Sequence, residues 1–255
     1  MSFEAIDRLD GKVVVITGGK GAIGLASARR LAARGARIVS LDRHGGSAVQ
    51  ALLDGLPAVA AGPHLGFSAS ITDSASLQAA AVAVSAQAGR CDILINSAGF
   101  TKAVPPGDLD ALTDGLFDEI VQANLRGVFA TIRAFAPLLK ASGDGLIVNV
   151  SSIAGFTGTG SNLAYVAAKA GVDVLTKSLA KALAPQVRVL AVSPGVVDSS
   201  FVPGRGPDFN DKAAATIPLK RIGTVDDIAS AIEACAVSLR FATGARFVVD
   251  GGRSL

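Results

Sequence analysis

No tryptophan occurs in this 255-residue chain, and there is only one tyrosine, one methionine, two cysteines and two histidines. Each scarcity excludes something. Cys91 and Cys235 are too few for a disulfide framework or a thiolate zinc site, so they read as isolated core thiols. With only His44 and His64 beside them, histidine-based metal chemistry lacks ligands, and no metal is expected. Charge is sparse as well: 18% of residues are Asp, Glu, Lys or Arg, and the net charge of +3 is scattered with no basic run. Together with 5% aromatics, this gives no support for nucleic-acid binding. A long apolar run is also missing. The longest uncharged stretch, Gly145 to Ala168, is broken by Gly, Ser and Asn, so no membrane span is expected. The segment Met1 to Lys12 carries Glu4, Asp7, Arg8 and Asp10 and lacks the basic-then-apolar order of a signal peptide. These features together lead to the expectation of a cytoplasmic, reduced protein.

What is abundant is apolar: 50% of residues are hydrophobic, and mean hydropathy is +0.48. Parallel sheets covered on both faces read this way. Short apolar runs read as strands at Lys12–Thr17, Arg37–Asp42, Ala58–Ala61, Cys91–Asn96, Leu146–Ser151, Val187–Ser193 and Arg246–Asp250. Helical spacing covers Ala22–Arg34, Asp73–Ala88, Thr113–Ala141, Asn162–Ala184 and Val225–Leu239, with Pro185 stopping the fourth. The alternation implies βαβ units in an α/β, doubly wound parallel sheet of about seven strands, with helices on both faces. No linker divides the chain, so residues 1–255 are expected to form a single Rossmann-fold domain. The irregular stretch Ser199–Pro218 reads as a loop at the active-site mouth.

The first strand ends in Thr17-Gly18-Gly19-Lys20-Gly21-Ala22-Ile23-Gly24, which opens directly into a helix. Glycines permit tight turns and close approach, and a helix N-terminus offers N–H groups to a pyrophosphate. Such a turn also occurs as a plain strand-to-helix connection. Its placement after the first strand, with Asp42 ending the second, favours a dinucleotide. A carboxylate there suits the ribose hydroxyls of NAD and repels the 2′-phosphate of NADP, while Lys20 and Arg43 pull the other way. The only tyrosine begins Tyr165-Val-Ala-Ala-Lys169. Residues at i and i+4 share a helix face, and a nearby ammonium favours the phenolate. Tyr165 then suits proton transfer, unless the pairing is accidental.

These motifs resemble the short-chain dehydrogenase/reductase family over nearly the whole chain, from Lys12 to Gly252. The resemblance implies hydride exchange between NAD and a secondary alcohol or ketone, with Asn124, Ser152, Tyr165 and Lys169 as catalytic residues. Ser152 is chosen over Ser151 by its spacing of thirteen residues from Tyr165. Asn124 would hold, through its backbone carbonyl, a water that relays protons through Lys169. The implied cofactor contacts are Gly18, Lys20, Gly21, Ala22, Ile23, Gly24, Asp42, Arg43, Ile71, Asn96, Ala98, Gly99, Tyr165, Lys169, Pro194, Gly195, Val197 and Ser199. The chain departs from the family at Ala22 in place of the middle glycine, at Ser97 in Asn96-Ser-Ala-Gly99, at Ser199 for Thr, and at Ser70 for Asp. A 3-oxoacyl-thioester reductase, acting on an acyl carrier protein or CoA substrate, and a dinucleotide-sensing scaffold remain alternatives. Arg205 is read either as a contact to a substrate carboxylate or phosphate or, more plainly, as an exposed loop residue. Phe201 and Phe209 would line a pocket or anchor the loop. Apolar residues beyond one helix stripe, Phe129, Phe135, Val172 and Leu179, imply a partner surface. A homotetramer is expected, with a dimer as the runner-up.

Overall fold

A computed structural model describes residues 8–45, 47–204, 206 and 208–255, and only the backbone of Ala48; Arg205 therefore lies outside the described residues. Strands β1 (Val13–Thr17), β2 (Arg37–Asp42), β3 (Leu65–Ser68), β4 (Ile93–Asn96), β5 (Gly145–Val150), β6 (Val187–Pro194) and β7 (Arg246–Val249) form one sheet. It has seven strands in the order β3-β2-β1-β4-β5-β6-β7, and every pairing is parallel. The central strands are buried along their full length, so both sheet faces must be covered. Alternate residues of β1 point to opposite faces. Val14 and Ile16 pack with α1 (Ala22–Ala33), α2 (Ser47–Asp54) and, later in the chain, α9 (Val225–Val237). Val13 and Val15 pack with α3 (Ser74–Ala88), α5 (Gly127–Ala141) and α7 (Leu163–Leu183). Between these long elements lie α4 (Asp114–Val121), the short α6 (Ala154–Thr157) and α8 (Phe209–Thr216).

The structure corrects four expectations. Ala58–Ala61 is not a strand; it lies in a turn, and the edge strand comes at Leu65–Ser68. The run leads directly into Gly62-Pro63, and proline has no N–H to give to a strand ladder. Thr113–Ala141 is not one continuous helix: a π-turn at Gln122–Arg126 interrupts it. Phe135 and Val172 are fully buried in the core and Leu179 is half-buried against it, so Phe129, at 40% exposure, is the one of the four that faces outward, and Phe117, Leu163 and Val174 are exposed as well. Within the 199–218 segment, Phe209–Thr216 is helical. Among the described residues, no helix is long and apolar enough to cross a membrane. Both cysteines are buried, and burial pushes the Cys235 thiol up to about 12.

Candidate active site

A parallel sheet sends all its strand C-termini to one edge, where ligands bind in this architecture. Here that edge carries a cleft of about 1230 Å³. A drug-sized ligand fills a pocket of about 300–1,000 Å³, so there is room for a dinucleotide and a small second molecule. One wall is the glycine loop. Gly18 has φ +68°, and a Cβ there would lie 2.9 Å from the Cα of Ala98, just past the end of β4. A Cβ on Gly24 would run into the carbonyl oxygen of Gly18, and one on Gly19 into the hydroxyl of Ser40. Ala22, by contrast, is exposed at the first position of α1, so its methyl is accommodated. No side chain caps α1, and its first turn has no acid, so its N-terminal donors remain available for an anion.

At the end of β2, the Asp42 carboxylate is 4% exposed and already oriented. It accepts hydrogen bonds from the Ser40 hydroxyl at 2.5 Å and from the Lys20 backbone N–H at 3.3 Å. Ser40 gave no signal in the sequence, because a strand serine has many other uses.

The opposite wall is built by β5 and α7. Asn162 caps α7, accepting from the Tyr165 N–H at 2.8 Å, while its amide donates to the Thr101 hydroxyl and the Lys102 carbonyl. This fixes the helix start and so the direction of Tyr165. The Tyr165 ring stands 6.0 Å from that of Phe201. Lys169 is 5% exposed, its ammonium donates to the Val150 carbonyl at 2.8 Å, and it lies 5.5 Å from the Tyr165 ring centre. Burial pushes its pKa down to about 8 against the opposing charge of Asp173. Ser152 follows β5, and its hydroxyl accepts from the Ala154 N–H at 3.1 Å.

Most of the residues singled out from the sequence line this cleft: Gly18, Lys20, Gly21, Ala22, Ile23, Asp42, Arg43, Ile71, Ala98, Gly99, Ser152, Tyr165, Lys169, Pro194, Gly195, Val197 and Ser199. Three do not. Gly24 lies beneath the loop it shapes. Asn96 is buried and donates to Asn149 at 2.9 Å, which donates to Thr176 on α7 at 2.9 Å, so it cross-links β4, β5 and the helix. Asn124 is fully buried in the π-turn, where its amide donates to the Phe100 and Ile120 carbonyls. Phe201 and Phe209 both line the cleft. The sequence reading missed the wall formed by Phe100, Val104, Pro105 and Pro106, and also Arg253, which bonds Thr216 at 2.9 Å.

The comparisons with known proteins agree with this geometry. The family model described as enoyl-(acyl carrier protein) reductase matches residues 18–254. D-threitol dehydrogenase of Mycolicibacterium smegmatis is 38% identical over 97% of this chain and 95% of its own. The 3-oxoacyl-(acyl-carrier-protein) reductase of Escherichia coli is 32% identical over 96% of this chain and 98% of its own. The chain belongs to the short-chain dehydrogenase/reductase family. A solved family structure, the NADPH-dependent 3-quinuclidinone reductase of Rhodotorula rubra, superposes with a TM-score of 0.87 at 27% identity, covering 99% of this chain and 94% of that one. This short-chain dehydrogenase/reductase is an oxidoreductase acting on CH–OH groups of a small-molecule substrate, and its family binds a nicotinamide dinucleotide.

The loop geometry gives the first test. Gly24→Ala places a methyl against the Gly18 backbone, where nothing flexible can yield. The expected loss is about 1–3 kcal/mol, read as a Tm fall of several degrees. Ala22→Gly should stay within about 1 kcal/mol of the parent. Equal melting of the two variants would refute this account of the loop.

Proposed function

We propose that this enzyme interconverts a secondary alcohol and a ketone with NAD(H), using Tyr165 as general acid/base. The observation that carries the reading is the convergence of Tyr165, Lys169 and Ser152 with the glycine loop and Asp42 on one cleft. Bound NAD would supply the hydride acceptor, and NADH the donor, at the carbinol carbon. Gly18 to Gly24 and the open end of α1 would hold its pyrophosphate. Asp42 would hold the adenosine ribose, with Ile71, Asn96, Ala98 and Gly99 beside it and Arg43 near the adenine. Pro194, Gly195, Val197 and Ser199 would meet the nicotinamide side. Tyr165 takes the alcohol proton during oxidation and returns it during reduction. Lys169, held against Val150, stabilises the phenolate. Ser152 donates to the substrate oxygen and stabilises charge developing there. Asn124 has the relay role, which its position in a π-turn supports, since such interruptions of the helical ladder recur at functional sites.

A 3-oxoacyl-thioester reductase is the second reading, favoured by the likeness to the E. coli enzyme. Turnover of an acetoacetyl thioester above that of simple secondary alcohols would select it. Two buried free thiols fit a reducing, cytoplasmic setting. Residues 1–255 are taken as one domain, with the 199–218 segment closing the substrate side.

The first experiment on this reading is Tyr165→Phe, which keeps the ring and removes the proton donor. Turnover should fall by about 10²–10⁴-fold while NADH binding persists. Near-normal turnover in the folded variant would sink the mechanism.

Cofactor choice follows from Asp42. Its carboxylate, fixed by Ser40, faces the place a 2′-phosphate would occupy, a like-charge contact with little solvent to screen it. NAD should be preferred by at least about tenfold in kcat/KM, equivalent to about 1.4 kcal/mol, and Asp42→Ala should erode that preference by relieving repulsion against NADP. Steady-state kinetics with both cofactors decides the matter. Equal efficiency with NADP in the unmodified enzyme would mean that Lys20 and Arg43 outweigh Asp42.

Assembly is read from the outward apolar side chains of α4, α5 and α7. Phe117, Phe129 and Val174 are exposed on these helices, and an apolar face invites a partner. A homotetramer is proposed, with paired helices in a closed symmetry. Light scattering at micromolar concentration should give about four times the 25.5 kDa of one chain; the single-chain mass would refute it.

A further inference from the structure

Asp173 lies one helical turn beyond Lys169 on α7, so the two side chains share a face. It is 7% exposed, and its Oδ1 has no hydrogen-bond partner among the described residues. Its Oδ2 accepts from Arg246, at the start of β7, at 2.8 Å. The Arg246 guanidinium in turn stacks over the Phe156 ring at 3.9 Å. Phe156 belongs to α6, the turn that follows Ser152. Leaving a carboxylate oxygen buried and unpaired is costly. The packing of α7 on the sheet does not require an acid here, because Val172, Ala180 and Leu183 already fill that contact.

We propose that Asp173 is a positioning residue for the reaction: anchored by Arg246, its carboxylate keeps Lys169 in the ammonium form beside Tyr165. The inference rests on the Tyr165–Lys169 reading given above. Arg246 and Phe156 tie the pair to the wall next to Ser152, so the charge that sustains Lys169 is fixed from two sides.

Asp173 is the buried anion among the surroundings of Lys169: α4, which also packs on α7, carries Asp114, Asp118 and Glu119, all exposed, while the π-turn contributes Arg126 and β6 contributes Arg188. On α7, the ionisable neighbours one turn away are Tyr165 and Asp173; Lys177, a further turn on, is exposed. β7 contributes Arg246. β5 contributes the Val150 carbonyl, followed by Ser151 and Ser152, and α6 contributes Phe156 and no ionisable group. Burial pulls the Lys169 ammonium towards neutrality, and Asp173 opposes it. Without that charge, desolvation acts alone and the ammonium is lost at a lower pH. Once Lys169 is neutral, Tyr165 holds its proton more tightly. The alkaline limb of the rate profile then moves down and the Tyr165 limb moves up.

The test is Asp173→Asn, which keeps the shape and still accepts the Arg246 bond. In cofactor-free protein labelled with ¹³Cε-lysine, the resonance assigned to Lys169 through Lys169→Arg should titrate about 1 pH unit lower than in the parent. The pH profile of kcat should narrow from both sides, with NADH affinity unchanged. Asp173→Glu should restore most of the parent profile. An unmoved midpoint in folded Asp173→Asn would overturn the proposal. If that variant does not fold, Asp173→Ser is titrated in its place, and an unmoved midpoint there overturns the proposal equally. Failure of the unmodified protein to bind NADH would sink the cofactor reading instead, and the cofactor-free titration would still decide the coupling.

Discussion

The site depends on one buried contact: the Lys169 ammonium against the carbonyl of Val150 at 2.8 Å. A charge taken out of water is costly unless it is paired and hydrogen-bonded. Here the strand end supplies the acceptor. The contact locks a helix to the C-terminal end of a central strand. It therefore fixes the rotation of α7, and with it Tyr165 one turn earlier. The chain Asn96–Asn149–Thr176 repeats the lock lower down, joining β4, β5 and the same helix through buried amides and a hydroxyl. A slip of α7 by one residue would break both together, which makes the side chains at the cleft a consequence of core packing.

The glycine-loop side is governed by contact distance in a different way. Close approach between β1, β4 and α1 is possible only where Cβ atoms are absent: at Gly18 against Ala98, and at Gly24 beneath Gly18. The start of α1 has no side-chain cap because its N-cap residue is Gly21. Thr17 completes the arrangement, with its hydroxyl accepting from the N–H groups of Ser97 and Ala98 at 3.2 Å. Loop, strand end and helix start are thus held by the protein itself, and an anion arriving there pays little for ordering them.

Much of this was legible because period and burial agree. Six of the seven strands and the long helices announce themselves through apolar runs and glycine stops. The failures have physical reasons. β3 is an edge strand, Leu65-Gly-Phe-Ser, only half buried, so its pattern is weaker than that of the neighbouring alanine-rich turn. The π-turn at Gln122–Arg126 adds one residue to a helical turn without any residue type that marks it; Asn124 hinted at a special position but not at its form. Phe135 and Val172 looked surplus because two helices packed on one sheet face bury wider stripes than one helix alone. At the site, Tyr165 and Lys169 were readable from local spacing. The partners of Asp42 and Asn96 were not, since Ser40, Asn149 and Thr176 gain their meaning only from tertiary proximity.

The apolar walls of the cleft stand outside the sheet, yet they are joined to Tyr165 and the start of α7. The segment that holds Phe100 and Val104 is tied to Ser161 by the Thr101 hydroxyl at 2.6 Å and by the Val104 N–H at 2.8 Å. Asn162, the next residue, bonds both that segment and the Tyr165 N–H. A single side chain therefore sets the start of α7 and the position of an apolar wall. The other wall, around Phe201, meets the Tyr165 ring directly. A side chain changed on either wall alters pocket shape within one or two contacts of Tyr165. On the proposed reading, substrate choice and proton transfer would be coupled by these hydrogen bonds rather than divided between separate modules, so wall substitutions would act on turnover as well as on binding.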